Sequence, residues 1–391
     1  MAAVVLRRGS GRFPYDAWLI GVALLLLMLG LVMVASSSIT VADRLHNQPL
    51  YFFWRQCFAA SLGFGVATCM ALTPLFFWER LSVPLLGVAF VLLLLCLIPG
   101  VGREVNGSMR WIHLGPLNVQ SSEIAKFCVI AYIAGYLVRH QGKVRTSFAG
   151  FITPIGVVTL VSGMLLLEPD FGAAVVIFAT TLGMIFVGGV PLSRFLAWVA
   201  AASVALASLA VTSPYRLERL TSFLNPWADP YNSGFQLTQA LIAFGRGEWL
   251  GVGIGSSVQK LFYLPEAHTD FLFAVLAEEL GLIGTIAVIL LYTFLVWRAF
   301  VIAQAAEEAQ QTYPALLAYG SALILGLQAF INMGVNMGML PTKGLTLPLM
   351  SYGSNSMVLS CLLVGTLVRV EHESRALMRR PIPDMVTTYV A

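Results

Sequence analysis

QKLFYLPEAHTDFLFAVLAEELG, Gln259 to Gly281, sets Lys260, Glu266, His268, Asp270, Glu278 and Glu279 at or just inside the start of an apolar helix, in a chain that is 58% hydrophobic and 11% charged. An ionisable group in hydrocarbon costs roughly 2.5 to 3.5 kcal/mol on insertion scales, so it persists where it lines a cavity, finds a partner or does chemistry. Asp270 is the candidate for chemistry. Pro265 ends whatever precedes it, Thr269 is placed to cap the helix, and Asp270 follows in the first turn. The helix macrodipole favours an anion there and burial opposes it. At about 100° per residue, Glu278 lies roughly 80° around the helix from Asp270 and Glu279 lies on the opposite side. Glu278 is therefore the expected companion of Asp270, whereas Glu279 is expected to pair with a basic group and fix the helix orientation.

The 391 residues have a mean hydropathy of +0.83, more apolar surface than a soluble fold can hide. The expected fold is an all-α polytopic membrane protein with about ten transmembrane helices. The stretches are 17–35, 51–72, 81–98, 121–138, 151–167, 171–189, 195–211, 271–296, 315–340 and 349–368. The first follows Arg7, Arg8 and Arg12 but is longer than a signal-peptide core, and reads as an uncleaved span. Residues 1–16 form an N-terminal segment, 17–368 one membrane domain, and 369–391 a tail. With the N-terminus inside, Arg80, Arg139, Lys143, Arg145, Arg194, Arg298, Arg369, Arg375, Arg379 and Arg380 also fall on the cytoplasmic side, as the positive-inside rule requires. The large extracytoplasmic loop then runs from about 212 to 269, between the seventh and eighth spans. Cys57, Cys69, Cys96, Cys128 and Cys361 lack metal or redox spacing and read as free thiols packed in the bundle. The net charge of +4 is too small and too spread to indicate nucleic acid.

Several further motifs accompany Asp270, all but Arg55 opening on the outer side. Arg55 in the second span either snorkels to lipid phosphate or points to a bound phosphate. In the loop after the third span, Arg110 and Trp111 set a cation beside a flat ring, suited to a diphosphate and a sugar face. Ser121 or Ser122 is placed to cap the fourth span. Glu123 and Lys126, spaced i, i+3, make an intramembrane ion pair or hold a phosphate. In LEPDFG, Leu167 to Gly172, Asp170 caps the next span. In the long loop, Phe235, Leu237, Ala240, Leu241 and Phe244 form a helical apolar stripe with Gln236 and Gln239 on its polar side and Gly245 as a stop. The glycines at 245, 247, 251, 253 and 255 allow close backbone approach and hinge motion, and the loop reads as a lid over Asp270. Across the boundary of the last span, broken by prolines, glycines and small hydroxyls, Lys343, Ser351, Tyr352, Ser354 and Asn355 face the same vestibule.

No metalloprotease helix, P-loop, dinucleotide fingerprint or nucleophile elbow occurs. What remains is one acid, several cations, amides and hydroxyls around an outward cavity open to lipid. A glycosidase needs a second carboxyl to protonate a poor leaving group. A diphosphate leaves without one, so a carboxylate that takes the proton of an attacking hydroxyl, with cations or Mg²⁺ on the phosphates, suffices. Sugar transfer from a lipid diphosphate fits this set; a flippase for a lipid-linked sugar and a non-catalytic scaffold are the alternatives.

LPEAHTDF with FAVLAEELG, the RWI and QSSE-to-Lys126 loop, PDFG, GFQLTQALIAFGRG and LPLMSYGSNS, from about Arg55 to Ser356, together resemble the SEDS family of bacterial peptidoglycan polymerases. LPEAHTDF with GFQLTQ is closer to its division branch than to its elongation branch, where an Arg usually stands at the place of Ala267. The chain departs from the family at Ser121, where Pro is commoner, and at Glu168, where Gln is commoner. The resemblance implies ten transmembrane helices, lipid II as substrate and Asp270 as the essential carboxylate. It implies attack of a GlcNAc 4-hydroxyl on the MurNAc anomeric carbon with inversion, giving β-1,4 glycan strands and undecaprenyl diphosphate. Arg55, Arg110, Trp111, Glu123, Lys126, Gln239, His268, Lys343, Ser351 and Ser354 are the candidate substrate-binding residues. A divalent cation, Mg²⁺ or Mn²⁺, is expected, with Asp270 as its candidate ligand. The resemblance further implies a class B penicillin-binding transpeptidase (FtsI-like) and other divisome membrane proteins as partners, and a site in the bacterial inner membrane at the septum, active face outward.

Overall fold

The computed structural model describes residues 15–105, 108–114, 117–211, 223–232, 234–341 and 344–378. Helices occupy each apolar stretch. In chain order they are α1 (Ala17–His46), α2 (Tyr51–Leu72), α3 (Leu75–Arg80) and α4 (Ser82–Leu97); then, after a small sheet, α5 (Ser121–Arg139), α6 (Gln141–Thr146), α7 (Phe148–Leu167), α8 (Phe171–Val187) and α9 (Leu192–Val211); and finally α10 (Phe235–Gly247), α11 (Leu272–Glu308), α12 (Thr312–Asn336) and α13 (Ser354–Met378). Among the described residues five helices are long and apolar enough to cross a membrane, those beginning at Ala17, Ser121, Gly150, Leu272 and Thr312, and 82–97, 171–187 and 192–201 are shorter apolar helices.

α5 lies at the centre, buried along nearly its whole length and packed against α4, α8, α12 and α13. Its polar groups must therefore find partners inside the protein. α2 pairs with α13, and α11 with α12. Basic residues gather at the end opposite Asp270: Arg298 on Asp16, Arg139 on Ser82, and Arg369 on Glu373 and the carbonyl of Ala71. Large apolar side chains such as Phe58, Phe64, Leu94 and Leu290 remain exposed on the outer helix faces, as in a bundle solvated by lipid.

Several expectations are corrected. The stretch before α5 is no simple loop: β1 (Gly102–Val105), β2 (Ser108–Leu114) and β3 (Leu117–Gln120) form an antiparallel sheet in the order β1-β2-β3. α10 runs past Gly245 to Gly247, where Glu248 turns to φ 45°. α13 starts at Ser354 rather than 349 and continues to Met378, into what reads as the tail. Of the five free cysteines, Cys96, Cys128 and Cys361 are buried, but Cys57 is half-buried and Cys69 is exposed.

α11 is longer than its apolar span and is broken at Gly281, whose φ of 67° and ψ of −165° interrupt the helical path. The loop after α10 repairs the break. The amides of Val252 and Gly253 donate to the carbonyls of Glu278 and Glu279 at 3.0 and 3.1 Å, while those of Leu282 and Ile283 donate to the carbonyls of Glu248 and Trp249 at 2.9 and 3.2 Å. Glycine is required on both sides. A Cβ on Gly281 would stand 2.3 Å from the Gly251 nitrogen, and one on Gly251, at φ +78°, would stand 2.2 Å from the Glu279 carbonyl oxygen. Gly251 and Gly281 thus face each other across a backbone-to-backbone seam. Gly281→Ala is expected to destabilise the protein by about 2 kcal/mol or more, whereas Gly87→Ala, with nothing within 4 Å of the added atom, should leave the thermal midpoint in detergent unchanged or raised.

Candidate active site

Asp270 lies in the turn just before α11, half-buried at the end of the bundle where α2, α5 and α13 begin and α12 ends. Thr269 does not cap the helix; its hydroxyl bonds Glu266. The cap comes from across the bundle. Asn336 Oδ1 accepts from the Ala274 amide at 3.0 Å, while the side-chain amides of Asn332 and Asn336 both donate to the Asp270 carbonyl at 2.9 Å. Asn332 also donates to the carbonyl of Leu345, whose neighbour Gly344 would place a Cβ 3.3 Å from Asp270 Oδ2. The carboxyl therefore faces bare backbone in a turn fixed by two asparagines.

One turn further along α12, Gln328 continues the ladder. It accepts from Lys126 Nζ at 3.0 Å and donates to the Thr346 carbonyl at 3.1 Å. Lys126, fully buried, reaches Glu123 Oε1 at 2.7 Å, so the ion-pair reading of these residues holds and Gln328 links that pair to the segment 344–347. Sequence reading missed Gln328, Asn332 and Asn336. Their signal was present, three amides at four-residue spacing on an otherwise apolar helix.

His268 packs its ring against Phe52 and Tyr352, with centroids 4.7 and 5.5 Å away, and its carbonyl accepts from the Tyr352 amide. Burial pushes its imidazole below the ordinary histidine range. Nδ1 is buried with no hydrogen-bond partner among the described residues. Gln56 clamps the turn before α13 through the Ser351 carbonyl and the Gly353 amide. Ser351 is itself buried and its hydroxyl accepts from the Leu347 amide, so the structure uses it to fix the turn. Ser354 opens α13 and is half-buried. Arg55, exposed on α2, is held at Tyr51 by a 3.0 Å hydrogen bond and by its ring. Lys343 lies outside the described residues, as do Asn106 and Gly107.

The sheet is tied to this end by Asn355, which donates to the Asn118 carbonyl. Arg110 on β2 sits 3.8 Å from Asp170 and bonds Ser108, and Trp111 beside it is half-buried. Asp170 caps α8 through the Ala173 amide as expected. Ser121 and Ser122 do not cap α5. Instead the Ser121 hydroxyl donates to Glu168 Oε2 at 3.0 Å, so the two departures from the SEDS pattern are partners. Gln239 is half-buried on α10, whose neighbours are α11 and α12.

Glu278 is not the companion of Asp270. It is fully buried and accepts from Arg246 at 2.7 Å, from the Ser257 hydroxyl, and from the amides of Val258 and Gln259 at 3.1 and 3.3 Å. Glu279 pairs with a basic group as expected, Lys260 at 3.0 Å. Among the described residues no three His, Cys, Asp or Glu side chains converge on a metal-sized site. Mg²⁺ is ordinarily held by one or two carboxylates together with substrate phosphates, so the half-buried Asp270 alone fits a cation that arrives with a diphosphate.

Two measurements follow from this geometry. Lys126→Met leaves Glu123 without its cation and should cost about 3 to 5 kcal/mol, most of it recovered in the double variant with Glu123→Gln, read by thermal unfolding in detergent. Burial raises the Glu168 carboxyl from 4.5 to about 8. Between these values the folded protein holds a proton that the unfolded chain releases, so stability falls as pH rises through that window. Glu168→Gln should flatten this part of the profile of thermal midpoint against pH.

Comparison with known proteins places this architecture. A relative from Nitrosococcus halophilus named probable peptidoglycan glycosyltransferase FtsW is 57% identical over 92% of this chain and 93% of that protein. One of the same name from Halorhodospira halophila is 52% identical over 97% of this chain and 98% of that protein. Among solved structures, one described as the structural coordination of polymerization and crosslinking by a peptidoglycan synthase complex aligns with a TM-score of 0.76 at 30% identity, over 92% of this chain and 98% of that one. The Thermus thermophilus rod shape determining protein RodA aligns at 0.68 and 29% identity, over 92% and 97%. Both matches carry the polytopic helical membrane fold expected from hydropathy. The model of the FtsW, RodA and SpoVE family, described as cell cycle proteins, matches residues 16–376, and the chain belongs to that family.

Proposed function

We propose that this protein is a peptidoglycan glycosyltransferase that polymerises lipid II into β-1,4 glycan strands, with Asp270 as the general base. The observation that carries the reading is the setting of Asp270, a half-buried carboxylate whose turn is pinned by Asn332 and Asn336 beside a side-chain-free Gly344. The names of the relatives support the reaction class.

In this reading Asp270 takes the proton of the attacking GlcNAc 4-hydroxyl as its oxygen bonds the MurNAc anomeric carbon. The bond from that carbon to the phosphate oxygen breaks, and undecaprenyl diphosphate leaves with the electron pair. Displacement from the opposite face inverts the anomeric centre. Arg110 and Trp111 on β2, with Arg55 and Lys343, supply cations and a ring surface for diphosphate and sugar. His268, whose cationic form burial disfavours, and Gln239 and Ser354 contribute polar contacts. The buried Glu123–Lys126 pair acts at one remove, through Gln328 and the 344–346 segment. A divalent cation at Asp270, when bound, would neutralise charge on the departing diphosphate.

The working location is the bacterial inner membrane at the septum, with the Asp270 end outward and ten helices spanning the bilayer. A class B penicillin-binding transpeptidase and other divisome proteins are the proposed partners.

The test is polymerisation by the purified protein with its transpeptidase, given lipid II and Mg²⁺ or Mn²⁺. Asp270→Asn should lower the rate by at least about 100-fold, the lower bound for a general base, with its thermal midpoint retained. Full activity in that variant would remove Asp270 from the mechanism. Lipid II crossing a liposome membrane without chain growth would point to transport instead.

A further inference from the structure

The break at Gly281 leaves 272–280 as a helical segment of its own, with Asp270 just ahead of it. Its front end hangs from Asn332 and Asn336. At its rear end Lys260 Nζ, on a side chain 4% exposed, lies 3.0 Å from Oε1 of the fully buried Glu279 and 3.1 Å from Ser36 Oγ on α1. The Ser36 hydroxyl in turn lies 2.7 and 2.8 Å from the two Glu279 oxygens. Further along α1, the Thr40 hydroxyl donates to the Lys260 carbonyl at 2.9 Å. Three parts of the chain remote in sequence thus meet at one buried charge pair.

Such a pair gives little stability beyond that of apolar side chains of the same size, because desolvation offsets the attraction. What it fixes is direction, since charge-assisted hydrogen bonds are short and tolerate little displacement. From Glu279 forward to Asp270 is about 13 Å of helix rise. Over that length a tilt of about 5° moves the carboxyl by about 1 Å, enough to cost on the order of 100-fold in rate.

We propose that the Lys260–Glu279 pair, tethered to α1 through Ser36 and Thr40, is a positioning device that holds segment 272–280 at the angle placing Asp270 for reaction. The proposal rests on the reading of Asp270 as the base.

The test replaces both charges at once, Lys260→Met with Glu279→Leu, so that no ion is left buried alone. The thermal midpoint should match or exceed that of the parent, KM for lipid II should stay within about 2-fold, and kcat should fall at least about 10-fold. Lys260→Arg, which keeps the pair, should retain at least about a third of kcat. An unchanged kcat in the double variant, or a loss that only tracks the folded fraction, overturns the proposal. If the double variant does not fold, Ser36→Ala combined with Thr40→Val carries the test. These remove only the tether, should lower kcat at least about 3-fold, and overturn the proposal if kcat is unchanged. Asp270→Asn is assayed alongside. Activity in that variant sinks the reading of Asp270 itself, whereas an inactive Asp270→Asn with a fully active double variant sinks only the positioning role.

Discussion

A helix broken inside an apolar bundle exposes carbonyls and amides that water cannot reach, and the arrangement around Asp270 follows from how this chain satisfies them at Gly281. The segment 248–253 closes the gap with four backbone hydrogen bonds. Because each unsatisfied group in hydrocarbon costs several kcal/mol, the loop after α10 cannot drift from α11 without reopening the break. The same constraint dictates composition: Gly251 and Gly281 stand where any Cβ would strike backbone. Within a glycine run that reads as allowing close approach and hinge motion, Gly247 and Gly251 make the close approach to α11.

Buried charge is handled on the same principle. Glu278 and Glu279, adjacent in sequence, point to different neighbours: the first to Arg246 and the 257–259 backbone, the second to Lys260 and Ser36. Glu123 and Lys126 share α5, and Gln328 from α12 adds a second acceptor for the Lys126 ammonium. These buried ions are paired, as their desolvation requires. Asp270 differs in being half-buried at the surface of the bundle.

Two frameworks thus converge on one turn. From one side, the amides of Gln328, Asn332 and Asn336 tie α12 to the Lys126 pair, to the turn before α13 and to the backbone of Asp270. From the other, the seam and its ion pairs tie the rear of segment 272–280 to α10 and α1. A catalytic carboxyl needs such two-sided support because rotamers and turns left to themselves wander by more than a reaction tolerates. The aromatic packing of His268 between Phe52 and Tyr352 extends the same support to α2.

What the sequence determined was local or periodic. Hydropathy over about 20 residues located the apolar helices because the bilayer sets that length. The i, i+3 spacing of Glu123 and Lys126 made their pairing legible, and Asp170 ahead of an apolar run made its cap legible. Asp270 stood out because an acid in apolar surroundings is costly wherever the rest of the chain goes. What the tertiary structure decided was every partner lying far along the chain. Helix geometry put Glu278 near Asp270 in angle, but Arg246 and Ser257 claimed it from another element. Ser121 appeared to be a cap until Glu168 came within hydrogen-bond reach, and Thr269 lost its capping role to Asn336. Backbone and side-chain groups in a closely packed bundle take whichever partner the packing delivers, and sequence spacing carries no information about which one arrives.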